Sequence, residues 1–128
     1  MTHFQIQPMH ADLAARLGKH GFTQKNHCYK NCCGVVLQLG VGDYVLCTIT
    51  EQDGTKHGHA VVGFKGKYFD PTIDIARSQT LVYEAVRTFS RGDLEAFMLA
   101  NGAIKDPDGS ISGFPPKLLP NGDIVCTA

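Results

Sequence analysis

Apolar positions along the chain keep one period, then another, then lose it. Met9, Leu13 and Leu17 stand four residues apart before Gly21, a spacing that stacks side chains on one helix face ahead of a good stop. A short amphipathic helix is expected over residues 9–20. The polar run Phe22-Thr23-Gln24-Lys25-Asn26-His27 reads as a loop, after which Cys28, Cys32, Val35, Val36 and Leu39 recur at helical spacing up to Gly40. A second helix therefore starts at or near Cys28, with Cys28 on its first turn. From Asp43 to Thr50 the composition turns to Tyr, Val, Ile and Thr, and Asp53-Gly54 is a strong two-residue turn signal. A return strand from His57 to Phe64, the Lys65-Gly66 turn and a third strand from Lys67 to Asp70, ended by Pro71, complete an antiparallel meander.

Residues 81–100 hold further apolar spacing. Ser90, three residues before Asp93, resembles a helix N-cap ahead of Leu94, Phe97 and Met98, with Asn101-Gly102 as the stop, so a helix is expected from about Arg91 to Ala100. The stretch from Lys105 to Gly122 is rich in Pro, Gly and Asp and reads as a long surface loop, closed by an edge strand at Asp123 to Thr127. Helices packed on an antiparallel β-meander indicate the α+β class. Neither an internal repeat nor a low-complexity segment is present, which argues against a solenoid.

Composition narrows the picture. The 128 residues suit one domain spanning residues 1–128, and 43% hydrophobic with 19% charged residues is the balance of a globular chain able to fold unaided. Twelve basic residues offset twelve acidic ones with no long block of either sign, so a nucleic-acid partner is not expected. The sequence holds no run of about 18 apolar residues to span a bilayer. Its start, Met-Thr-His-Phe-Gln-Ile-Gln, lacks the charged segment and apolar run of a secretory signal, which makes a cytoplasmic location the expectation. Five cysteines (Cys28, Cys32, Cys33, Cys47, Cys126), an odd number with three inside six positions, make a poor disulfide framework and point to reduced thiols.

Candidate chemistry gathers in two segments: Cys28-Tyr29-Lys30-Asn31 at a helix start, and His59-Ala60-Val61-Val62 followed by Asp70-Pro71-Thr72. A thiol at a helix N-terminus meets unpaired backbone amides and the positive end of the helix dipole, which favour the nucleophilic thiolate. Such a nucleophile needs an imidazole to hold or return its proton, and the imidazole needs a third group to fix its tautomer and orientation. His59 and Asp70 fill these roles on consecutive strands about 5 Å apart. His57 competes with His59, since alternate strand residues point the same way. His59 is preferred because the apolar run that buries the strand begins immediately after it.

Cys-Tyr-x-Asn, His-Ala-Val-Val and Asp-Pro-Thr, in the order Cys, His, Asp over residues 24–73, resemble the papain-like and transglutaminase-like cysteine hydrolases. That superfamily includes peptidases, amidases, deamidases and acyltransferases. The resemblance implies Cys28 as nucleophile, His59 as general base and acid, and Asp70 as the orienting residue. It also implies a Gln shortly before the Cys that helps bind the oxyanion; Gln24 is the nearest candidate, with Asn26 or His27 as substitutes. The first backbone amides of the helix supply a donor in any case. His57 lines the pocket or is solvated.

A rival chemistry is a tetrahedral zinc drawing on His27, Cys28, Cys32, Cys33, His57 and His59, but Cys-x3-Cys-Cys on a helix turns Cys33 about 100° away from Cys32 and departs from the usual Cys-x2-Cys knuckles. Neither metal nor cofactor is expected. The sequence therefore reads as a thiol hydrolase or acyltransferase acting on a protein, peptide or small amide or ester through a Cys28 thioester. The alternative is a binding or regulatory protein that keeps the scaffold without turnover, such as a host-interaction or defence-related factor. At this length there is little room for a second lobe to wall a peptide cleft, which favours a narrow amidase or deamidase over a general protease. Oligomeric state is left open by the sequence.

Overall fold

The computed structural model describes residues 3–128; Met1 and Thr2, which begin the segment read for a signal, lie outside the described residues. The elements run β1 (His3–Phe4), α1 (Ala11–Lys19), α2 (Cys28–Leu37), β2 (Asp43–Thr50), β3 (Lys56–Phe64), β4 (Lys67–Phe69), α3 (Ile75–Ser78), β5 (Val82–Phe89) and α4 (Arg91–Ala100). Four two-residue strands follow: β6 (Ile104–Lys105), β7 (Ile111–Ser112), β8 (Lys117–Leu118) and β9 (Ile124–Val125). The α+β class and the β2–β3–β4 meander stand as the sequence implies. The helix expected at Cys28 begins there, and α4 begins where Ser90 caps it, its hydroxyl accepting from the Asp93 N–H at 3.1 Å.

The main sheet is antiparallel in the order β1-β5-β2-β3-β4. Just past β1, Ile6 bridges Tyr68 of β4 and the Gln7 N–H donates to the Tyr68 carbonyl at 2.8 Å, so the two ends of the sheet meet and it is nearly closed. The inside is lined by Ile6, Val45, Cys47, Ile49, Val61 and Tyr83. The outer face of β2 and β3, with Tyr44, Leu46, Ala60 and Val62, carries α1, α2 and α4 through Leu17, Cys32, Val35, Val36, Leu94 and Met98. Burial of these apolar faces is what holds α2 across β3.

β5, one of the two neighbours of β2, was not distinguishable as a strand in the apolar pattern, and the register explains why. Cys47 pairs with Ala85 while Leu46 pairs with Arg87, so a bulge at Val86 interrupts the ladder. Tyr83 faces the inside of the sheet while Phe89, at the same parity, joins the helix-facing core. The C-terminal stretch also differs from a plain surface loop with an edge strand. It forms the hairpins β6–β7 and β8–β9, and Pro115, Pro116 and Leu118 are buried, with the Tyr44 hydroxyl donating to the Pro116 carbonyl. Within the described residues no helix is long and apolar enough to cross a membrane.

Candidate functional site

β4 stops at Phe69, paired with Val62, so it leaves the earlier part of β3 uncovered on that side. There His59, inward-facing and opposite Cys47 in the register, meets the residue that follows β4. Its Nε2 lies 2.8 Å from Asp70 Oδ2, and both side chains are buried. Asp70 Oδ1 accepts the backbone N–H of Thr72 at 2.9 Å and of Ile73 at 3.0 Å, while Oδ2 also accepts the Tyr83 hydroxyl at 2.8 Å. A buried carboxyl group needs partners of this kind. The Asp-Pro turn is thus a folded cradle that satisfies both of its oxygens.

Cys28 opens α2 and is partly exposed. Two forces act on His59 in opposite directions: burial lowers its proton affinity, while hydrogen bonds and charge from Asp70 and Cys28 raise it. The balance lifts its pKa from 6.5 to about 9. Because Nε2 is taken by Asp70, Nδ1 is the nitrogen left for the thiol. For the other four thiols burial works alone or leads: Cys32 and Cys47 are pushed well up, Cys33 to about 12, and Cys126 upward.

Asn31 ties this arrangement to the loop before α2. It is 2% exposed, and its Nδ2 donates to the Gln24 carbonyl and to Thr72 Oγ1, both at 2.9 Å. Thr72 in turn gives its N–H to Asp70. One side chain therefore fixes the first turn of α2 against both the preceding loop and the Asp70 cradle. Tyr29 anchors the opposite side: its hydroxyl is bound to the Leu118 backbone, and burial, then the neighbouring Cys28, pushes its pKa up to about 12.

The remaining sequence candidates lie elsewhere. His57 points to the hairpin, with Nε2 2.7 Å from Glu51 Oε2, and Arg77 completes an exposed cluster at 3.3 Å from Glu51 Oε1. The hydrogen bond from His57 is the main cause that holds the Glu51 carboxyl below its usual range. Gln24 contributes its backbone carbonyl to Asn31, but its side-chain amide lies over Gly21, Nε2 being 3.6 Å from where a Gly21 Cβ would stand. Asn26 is exposed in a left-handed conformation, φ 64°. His27 caps α2 without a side-chain hydrogen bond to it, so the donors available beside Cys28 are the first amides of the helix itself. Within the described residues no three His, Cys, Asp or Glu side chains converge as a metal-binding group.

A cavity of about 970 Å³ runs along the other flank of α2, past Phe22, His27, Lys30, Cys33 and Arg91, and is lined by neither Cys28 nor His59. The cavity and the thiol–imidazole cluster are therefore distinct, with Asn31 lining the one and bracing the other. Tyr83 is the member that sequence reasoning missed: it sits in the strand hidden by the bulge. No protein-family model, no curated protein and no solved structure matches this chain.

Proposed function

We propose that this chain is a thiol-dependent hydrolase or acyltransferase of the amidase, deamidase or peptidase type, with a papain-like or transglutaminase-like core arrangement. The observation that carries the reading is the buried His59–Asp70 pair acting on Cys28 at the first turn of α2. Cys28 Sγ attacks an amide or ester carbonyl, and the adduct oxygen is held by the free amides at the start of α2. With a pKa near 9, His59 enters the cycle protonated at neutral pH and serves first as an acid. It gives its Nδ1 proton to the leaving amine or alcohol as the carbon–nitrogen or carbon–oxygen bond breaks, and Cys28 is left as a thioester. Now neutral, His59 takes a proton from water or another acceptor, which attacks the thioester; Cys28 Sγ leaves and His59 is again protonated. No cofactor enters this scheme. All five cysteines are free, as a reducing compartment such as the cytoplasm would keep them.

Alkylation tests this directly. Iodoacetamide should modify Cys28 first among the five thiols, and Cys28→Ala should abolish both that label and any covalent adduct recovered by mass spectrometry from cell extract. Equal, slow labelling of all five thiols would sink the reading. A second reading, a binding or regulatory protein without turnover, draws on the burial of His59 and on the absence of Cys28 from the large cavity. It wins if Cys28→Ala leaves the biological activity intact.

A further inference from the structure

We propose that Tyr83 is a positioning residue for the His59–Asp70 pair: through Asp70 Oδ2 its hydroxyl holds the imidazole in one orientation toward Cys28 and tempers how strongly the carboxylate draws on it. Three observations support this. The Tyr83 hydroxyl and His59 Nε2 approach the same oxygen, Asp70 Oδ2, each at 2.8 Å. Ser78 Oγ stands 3.2 Å from the phenol, and Ser78 itself donates to the Asp74 carbonyl at 2.9 Å. The single phenolic proton therefore belongs to the carboxylate, the nearer and charged acceptor. Finally, the Tyr83 ring meets the His59 ring edge-on, with centroids 6.1 Å apart, and is backed by Phe4 at 5.5 Å. The ring and the hydroxyl thus constrain both members of the pair.

The consequence is electrostatic. A carboxylate oxygen that accepts two hydrogen bonds divides its charge between them, so each donor weakens the pull on the other. The groups that interact with His59 are Asp70 and Cys28, with Cys47 across the strand and Tyr83 from β5. Cys47 is held as a neutral thiol by burial. Tyr83 is then the neutral group able to adjust Asp70 without adding a charge. The geometry needs no substrate; only its use in catalysis rests on the function proposed above.

The test reads the titration of His59 by NMR in protein carrying isotope-labelled histidine, alongside the pH profile of Cys28 alkylation. Tyr83→Phe removes the donor and keeps the ring, so Asp70 should draw harder on the imidazolium and the His59 midpoint should rise by about half a pH unit. Replacing the tyrosines by 3-fluorotyrosine strengthens the donor without opening a cavity, so the midpoint should fall, and Tyr83→Phe in that background should abolish the fall. An unchanged midpoint in folded Tyr83→Phe, or a shift of the same sign in both proteins, overturns the proposal. If the midpoints move as expected while Cys28 labels no faster than the other thiols, Tyr83 keeps its positioning role and the acyl-transfer reading fails instead.

Discussion

At the scale of single residues, His59 carries a pH dependence that can be worked out in sign. Its folded pKa, about 9, exceeds the ordinary value of 6.5, so the folded state binds the proton more tightly than the unfolded chain does. The resulting stabilisation is complete below pH 6.5 and is lost as pH rises toward 9; it amounts to about 3 kcal/mol. Urea unfolding should therefore show a stability that falls from pH 6.5 to 9 in the native protein and falls distinctly less in His59→Gln, where only the buried thiols still lose stability toward pH 9. A native curve that rises over this range would mean that the imidazole is not held protonated by Asp70. Residue type and spacing singled out Cys28, His59 and Asp70. They did not separate His57 from His59 on geometric grounds, since both alternate to one face; that distinction needed Glu51 at the hairpin end to occupy His57.

At the scale of elements, the contact between β3 and β8 turns a glycine into a close approach. A Cβ on Gly58 would stand 2.4 Å from the Leu118 carbonyl oxygen and 3.0 Å from the Tyr29 hydroxyl. Glycine to alanine inside a strand would ordinarily help by roughly 0.5–1 kcal/mol, whereas overpacking a tight contact costs about 1–3 kcal/mol. The second effect should win, so Gly58→Ala is expected to destabilise the fold by about 1 kcal/mol or more in urea titration and to free the β8–β9 hairpin from β3. A gain in stability would show that the hairpin does not sit on that strand. Local signals served well for α2, α4 and the β2–β3–β4 meander, whose turns and caps lie within a few residues of the pattern they end. They failed for β5 because the bulge at Val86 breaks the alternation on which a strand reading depends.

At the scale of the whole molecule, two apolar clusters lie on opposite faces of the same strands: Val45 and Val61 belong to one, Leu46 and Ala60 to the other. The C-terminal stretch is tied to the second through Tyr44 and Pro116. Shared strands couple the clusters, so unfolding should be a single cooperative event. With no tryptophan and four tyrosines in the chain, tyrosine fluorescence and far-UV circular dichroism should give coincident urea transitions; separated midpoints would show the C-terminal hairpins melting apart from the sheet. By itself the sequence determined the class, the helix start at Cys28, the meander and the order Cys, His, Asp, because each depends on side-chain type and short-range spacing. Tertiary structure alone decided the near closure of the sheet through Ile6 and Tyr68, the seat of Tyr83 on Asp70, and the link from Asn31 to Thr72. Those contacts join residues 13 to 62 positions apart along the chain, and no local pattern encodes which distant backbone will arrive beside a given side chain.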